Sequence, residues 1–145
     1  CYTHRRLLAQ TALQLIADGK NQKAINILKK ADVEIPAYNV TLDYMSGGLD
    51  MARGWLLTGQ KAKGKEYVEA IWKNAHQYLD YYLSLTNDRF LQSQNDCIRQ
   101  IMIMQSVCDV AGMVSPQLQK SYEKQLNALY TLYRGRGGSM PQGNQ

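Results

Sequence analysis

Small residues, glycines and a proline recur at fixed spacing in the first part of the chain. Small side chains let two helices approach closely, glycine ends a helix at low cost in the left-handed conformation, and proline stops the next helix. In the first 36 residues these positions are Ala12, Gly19, Ala24, Ala31 and Pro36. Their order predicts two antiparallel helices joined by a tight turn, the unit from which helical repeat proteins are built.

The same pattern returns 40 residues further along the chain. Five pairs of positions share that single offset: Ala12 and Ala52, Leu15 and Trp55, Gly19 and Gly59, Ala24 and Gly64, and Leu28 and Val68. A tetratricopeptide repeat has about 34 residues, so the connector between the two units holds roughly six residues more than such a repeat needs. We interpret the two units as a tetratricopeptide-like internal repeat.

Apolar periodicity places the later helices. The second unit is expected to hold helices over about residues 42–58 and 61–83, and one continuous helix is expected over about residues 89–112. The last helix begins at Ser115-Pro116, a capping residue followed by the residue favoured at the first helical position. This third pair lacks the small-residue pattern, which is typical of a terminal unit that closes a stack.

We therefore predict an all-α fold, a tetratricopeptide-like right-handed stack of three helical hairpins with about six helices. The hairpins cover about residues 3–35, 42–84 and 87–134 of a single helical-repeat domain, residues 1–134. Residues 135–145 are rich in Gly, Ser, Gln and Asn and contain little to bury, which predicts a disordered tail.

Residues suited to catalysis or metal binding are scarce. The chain has two histidines, His4 and His76, and it has neither a Gly-x-Ser-x-Gly elbow nor a phosphate-binding loop. No Cys or His pair has the spacing of a zinc site. Cys97 and Cys108 lie 11 residues apart on one helix, too far for a disulfide. We predict no catalytic residue, no metal, no small-molecule cofactor and two buried free thiols.

The net charge of +5 is mild and is spread along the helix turns, so we predict no nucleic-acid partner. The lysines at equivalent turns of the two repeats would lie on one edge of a stack. That edge could face an acidic partner or lipid headgroups, although a solvated edge is the favoured interpretation. These lysines are Lys20, Lys23, Lys29, Lys30, Lys61, Lys63 and Lys65.

Aromatic residues form the most distinctive candidate surface. Aromatic side chains anchor many binding grooves, and they also fill the cores of helical repeats. For Trp55 and Trp72 we favour the core, whereas for the tyrosines a core and a surface role both stay open. The partner-binding residues that we predict are Tyr38, Tyr44, Arg53, Tyr78 and Tyr82.

Two segments of the chain are similar to one known family. They are Ile35-Pro36-Ala37-Tyr38-Asn39-Val40, followed by Asp43-Tyr44, and Tyr78-Leu79-Asp80-Tyr81-Tyr82-Leu83-Ser84-Leu85. Over roughly residues 2–85 the chain resembles the C-terminal, tetratricopeptide-like soluble domain of large Bacteroidetes multi-spanning membrane proteins of the protein O-mannosyltransferase-like family. The resemblance implies that a membrane part, absent from this sequence, carries glycosyl transfer from a lipid-linked sugar together with its catalytic acids. It implies that the present segment is the soluble domain of an inner-membrane protein, with the periplasmic side favoured over the cytoplasmic one, and is not itself an enzyme.

Together, these features predict a non-catalytic scaffold that places a protein or peptide partner near a membrane glycosyltransferase. The first helix of each hairpin is expected to line the concave face. Two alternatives stay open. In the first, the domain has a structural role and packs on its own membrane portion or self-associates. In the second, its tyrosines stack on sugars in a carbohydrate-binding or small hydrolytic activity. A deep pocket with converging carboxylates would favour that last alternative, and an open groove would favour docking.

Overall fold

The computed structural model describes residues 2–37, 43–44 and 46–139. Over these residues the chain is 83% helical and has no strand, which confirms the predicted all-α class. Seven helices follow one another in this part of the chain: α1 (Tyr2–Ala17), α2 (Asn21–Glu34), α3 (Gly48–Leu57), α4 (Lys61–Leu83), α5 (Asn87–Gln92), α6 (Gln94–Val114) and α7 (Pro116–Gly135).

The turns that join α1 to α2 and α3 to α4 have the same geometry. Each contains a glycine in the left-handed region, Gly19 with φ of +75° and Gly59 with φ of +83°. In each turn the next amide, of Lys20 or of Gln60, donates at 2.8 Å to the carbonyl five residues before it. The offset of 40 residues read from the sequence is therefore present in the backbone hydrogen bonds as well.

Small residues bring the paired helices close together. Ala12, Ala24 and Ala52 are fully buried. A Cβ built at Gly64 of α4 would overlap the side chain of Leu56 on α3, so a larger residue at position 64 would require this side chain or the helix to shift.

Helices α1 and α2, α3 and α4, and α6 and α7 pack as three pairs, with the short α5 between the second and the third. Helix α3 also packs on α1, and α6 packs on both α3 and α4. The first helices of the three pairs, α1, α3 and α6, therefore lie side by side. One hydrophobic core runs through all the pairs, and Phe90 adds the contribution of α5.

The structure corrects the predicted start of the third helix. This helix begins at Gly48 and not near residue 42. Gly47 immediately before it has φ of +81°, and local hydrogen bonds between Asp43 and Ser46 form a turn in place of the first helical turns. Short polar side chains compete with the helix for backbone groups in this way.

The predicted single helix over residues 89–112 is two helices, α5 and α6, separated at Ser93. The Ser93 hydroxyl donates to the Phe90 carbonyl at 2.9 Å. The break turns Phe90 inward, where it is fully buried and meets the ring of Tyr133 edge-on at 5.9 Å between centroids. Two other boundaries match the prediction, since α4 spans Lys61–Leu83 and α7 begins after a Ser115 cap.

Residues 136–139, in the first part of the predicted tail, make hydrogen bonds with one another or with the helices. The Arg136 guanidinium donates to the carbonyl of Leu83 and, at 2.7 Å, to that of Leu85. The first carbonyl belongs to the last residue of α4 and the second lies two residues beyond it, and a cation is favourable at this end of a helix. Residues 140–145 lie outside the described part of the chain.

Helix α6 is the one helix of the described residues that is long and apolar enough to cross a membrane, with a mean hydropathy of 1.2. Length and composition alone support this, and 44% of the apolar window is buried inside the fold. Buried core helices meet the same criterion, so it is weak evidence for a membrane span. The apolar residues of α6 do not form one uninterrupted run, because Gln, Ser and Asp residues lie between them.

Candidate partner-binding groove

A compact turn leads into α3 and lies against α1. The Ser46 amide donates to Asp43 Oδ1 at 2.8 Å, and the Gly48 amide donates to the Asp43 carbonyl at 3.0 Å. A Cβ built at Gly47 would lie 2.7 Å from Cα of Arg6. Since glycine alone permits both the left-handed backbone and this approach, the turn lies directly on the backbone of α1.

Arg5 of α1 forms hydrogen bonds with both ends of the segment that connects α2 to α3. Its side chain is 1% exposed, and it donates to the Ile35 carbonyl at 2.8 Å and to Ser46 Oγ at 3.0 Å. A buried guanidinium requires such acceptors. Sequence reasoning missed this residue. The sequence does contain an indication that Arg5 is buried, because it lies four residues before Ala9 and seven before Ala12 on the buried face of α1.

Tyr44, which the turn presents to solvent, lines two adjoining depressions. The larger, about 600 Å³, lies between Tyr44 and α6, and the smaller, about 120 Å³, lies where α1, α3 and the turn meet α6. Tyr44 and Ser106 line both, so the depressions form one continuous surface. We call it the Tyr44 groove, and the residues that define it are Arg6, Tyr44, Asp50, Arg53, Ile98, Arg99, Met102, Ser106 and Asp109.

The larger depression is mainly apolar. Ile98, Met102 and Ile103 of α6 line it together with the Tyr44 ring. Met102 is 56% exposed, so its side chain is accessible to a partner. Methionine has three flexible torsions and a polarizable sulfur, so it adapts to differently shaped partners. This part of the groove is suited to receive apolar side chains.

The smaller depression is polar and contains two arginines. Arg53 pairs with Asp50, with 3.1 Å between Nη1 and Oδ1. Arg6 lies beside this pair and forms no ion pair or hydrogen bond with any residue in the described ranges. No group of three or more His, Cys, Asp or Glu residues that could hold a metal occurs among the described residues.

A second aromatic surface lies on α4. The rings of Tyr78 and Tyr82 are 6.5 Å apart with planes inclined by 24°, and Tyr81 lies 5.6 Å from Tyr82. Tyr78 and Tyr81 are about half exposed. Burial of the half-buried Tyr82 and the neighbouring Asp96 carboxylate of α6 raise the pKa of its phenol.

The five predicted contact residues therefore do not form one site. Tyr44 and Arg53 lie together in the Tyr44 groove, although they are separated in sequence. Tyr78 and Tyr82 lie together on α4, and neither lines the groove. Tyr38 lies outside the described residues.

Both tryptophans are core residues, as favoured from the sequence. Trp55 and Trp72 are buried, and the Trp72 ring stacks on Tyr122 of α7 at 4.0 Å between centroids with planes inclined by only 5°. This stack joins the second pair of helices to the third. Burial raises the pKa of Tyr122 to about 12.

Several of the repeat lysines are paired with acidic residues. Lys63 Nζ lies 2.8 Å from Asp32 Oδ2, and the hydrogen bond to Asp32 raises the pKa of Lys63. Lys65 pairs with Glu69 at 3.7 Å. Because the opposite charges offset these cations, the edge is not uniformly basic, which favours the interpretation as a solvated edge.

The predicted buried thiols are confirmed. Cys97 and Cys108 are free and buried on α6. Burial raises the pKa of Cys108 to about 11 and also raises that of Cys97. Thiols of this kind are poor nucleophiles at neutral pH.

No protein-family model, no curated protein and no solved structure matches this chain. The first helix of the third hairpin was expected to line the concave face, but no individual residue of α6 was predicted as a contact residue, since the repeat pattern ends before this helix. The signal in the sequence is that two apolar residues of α6, Ile98 and Met102, lie outside the buried stripe of Cys97 and Met104, Ile98 at its margin and Met102 exposed.

Proposed function

We propose that this chain is a tetratricopeptide-like scaffold domain that docks a protein or peptide partner in the Tyr44 groove. The observation that carries the proposal is the position of the groove along α1, α3 and α6, the first helices of the three pairs. In a right-handed stack of hairpins the first helices line the concave face, and such faces are extended binding surfaces.

The chemistry of the groove favours docking over catalysis. A hydrolase of the kind considered above would need two converging carboxylates or a nucleophile with a base. In the Tyr44 groove the carboxylate of Asp50 is already bonded to Arg53, and the larger depression presents apolar side chains and an aromatic ring beside a single carboxylate, that of Asp109. Exposed apolar and aromatic groups beside a few polar ones are typical of partner-binding surfaces.

The cellular setting is part of the proposal. The similarity of the connector and of the α4 tyrosines to the O-mannosyltransferase-like membrane proteins supports a domain that holds its partner near a membrane glycosyltransferase, on the periplasmic side. Contact with the membrane portion of the same protein is the alternative use of the groove.

The test is peptide selection against the wild-type domain with two matched variants. Tyr44→Ala and Tyr81→Ala each remove one exposed tyrosine, but only the first lies in the groove. A displayed library of random 12-residue peptides should yield binders whose affinity falls at least about tenfold with Tyr44→Ala, the scale of an aromatic anchor, and is unchanged with Tyr81→Ala. Melting temperatures should stay equal in the three proteins. Binders that are lost equally with both variants, or no binders at all, would contradict docking in this groove.

A further inference from the structure

The two halves of the Tyr44 groove differ in chemistry although they are continuous. The α6 half is apolar at Ile98 and Met102, and the half at α1 and α3 is polar. Tyr44 and Ser106 lie at the boundary and line both halves. An occupant that fills the whole groove must therefore present apolar groups on one side and polar groups on the other.

The polar half has an excess of positive charge. Its charged residues are Arg6, Arg53 and Asp50. The Asp50 carboxylate is taken up by Arg53 at 3.1 Å, which leaves the charge of Arg6 uncompensated within the described residues. A guanidinium is a pure donor with a planar fork that matches a carboxylate, so an anionic group complements this position best.

The volume of the polar half limits the size of that group. At about 120 Å³ it is large enough for one acidic side chain and too small for a folded element. The apolar half, at about 600 Å³, has room for several aliphatic side chains. The chain as a whole carries a net charge of +5, which also favours an acidic partner over a basic one during encounter.

Asp109 is the other carboxylate of the groove, and it lies in the apolar half next to Ser106. A basic occupant would find Asp109 there but would meet Arg6 and the neutralised Asp50 pair in the polar half. An acidic side chain placed beside Arg6 would avoid the repulsion from Arg6 and would also lie away from the carboxylate of Asp109.

We infer that the occupant of the Tyr44 groove is a peptide segment in which an acidic side chain, bound by Arg6, lies beside apolar side chains that cover Ile98 and Met102. This inference rests on the proposed docking function and adds the chemistry of the partner. Arg6 supplies the charge-assisted hydrogen bonds, and α6 supplies the apolar contact area.

The experiment uses two displayed libraries of random 12-residue peptides, capped at both ends so that no terminal charge contributes. One library allows Asp and Glu, and in the other Asn and Gln replace them. We expect groove binders, defined by their loss with Tyr44→Ala, to come from the first library. Changing the acidic residue of a selected peptide to its amide should weaken binding about five- to tenfold, as should Arg6→Gln. Combining the two changes should weaken binding no further than either alone.

Lys73→Gln is the matched control, because it removes the same unit of charge from an exposed position of α4 outside the groove. It should leave the affinity of selected peptides within about twofold of the wild type at physiological ionic strength. Arg6→Glu should reverse the preference, so that peptides with Lys in place of the acidic residue bind better than the parent.

Two results separate the possible failures. If both libraries give Tyr44-dependent binders that respond neither to the amide change nor to Arg6→Gln, docking stands and the inferred acidic partner is wrong. If neither library gives Tyr44-dependent binders, the proposed docking function fails and this inference fails with it.

Discussion

The contact between the Gly47 turn and α1 can be tested by comparing two glycines of the same backbone class. Gly47 and Gly59 both have positive φ, +81° and +83°, so alanine at either should cost about 1–2 kcal/mol of stability from the left-handed backbone alone. Gly59 has open space around its position, with nothing within 4 Å of a built Cβ. At Gly47 the built Cβ would lie 2.7 Å from Cα of Arg6.

The extra cost at Gly47 follows from that distance. Carbon atoms in ordinary contact are about 3.5 Å apart, so the turn would have to move by roughly 0.8 Å. Such a shift would stretch the hydrogen bond from Arg5 to Ser46 beyond bonding range, since it is now 3.0 Å long. Losing a hydrogen bond to a buried charged group costs about 1.5–3 kcal/mol. We therefore expect Gly47→Ala to destabilise the domain by about 2.5–5 kcal/mol and Gly59→Ala by about 1–2 kcal/mol.

Thermal unfolding followed by circular dichroism, with urea unfolding as a second measurement, checks this difference. For a domain of this length 1 kcal/mol corresponds to roughly 3 °C, so Gly59→Ala should lower the melting temperature by about 3–6 °C and Gly47→Ala by about 8–15 °C. Gly19→Ala is a second control, since Gly19 also has positive φ and free space. Equal losses at positions 47 and 59 would refute the close seating of the turn on α1.

Three further results are expected from other parts of the molecule. Arg136→Ala should lower the stability by about 2–3 kcal/mol in urea unfolding, because the carbonyls of Leu83 and Leu85 at the end of α4 lose a charged donor; an unchanged midpoint would mean that residues 135–139 are not held in place. Stability should fall between about pH 9 and 12, because folding raises the pKa of Cys108 from 9.0 to about 11 and that of Tyr122 from 10.0 to about 12. Above the unfolded pKa values the unfolded state loses these protons first, which favours unfolding. Cys108→Ala should flatten the decline, and an identical pH profile in the variant would exclude Cys108 as a cause. Tyr78→Ala should change the melting temperature by less than about 3 °C, because half of this side chain is exposed and its ring contacts lie on the surface; a loss of several degrees would place it in the core.

The helices and turns of the first two hairpins were mostly predicted from the sequence, because residues close together in the chain determine them. Glycine at a turn, alanine at a close helix contact and an apolar stripe each act within a few residues, so Gly19 and Gly59 could be assigned with no knowledge of the fold. The start of α3 was missed because the apolar period continues upstream of Gly47. The adjacent pair Gly47-Gly48 was the opposing signal, and the contact with α1 decided the outcome.

The remaining differences depend on tertiary contacts that no local pattern contains. Ser93 is compatible with a continuous helix, and the break there is stabilised by the burial of Phe90 against α7. Residues after Gly135 are poor in apolar side chains, yet Arg136 holds them by reaching carbonyls about fifty residues earlier in the chain. Tyr44 was predicted as a contact residue from its aromatic character, but its neighbours on α6 become visible only when the third pair of helices is in place.

The matching turns of the first two hairpins have a consequence for building longer proteins from this chain. Lys20 and Gln60 precede α2 and α4 with nearly the same backbone angles, φ of −103° and ψ of 59° in one and φ of −88° and ψ of 67° in the other. A segment from residue 21 to residue 60 therefore begins after one of these two equivalent turn residues and ends with the other. If copies of this segment were joined end to end, each junction would require the backbone angles that Lys20 and Gln60 already adopt. The chain therefore contains a natural module whose duplication lengthens the array by one hairpin and its connector, and each copy brings another Tyr44 turn.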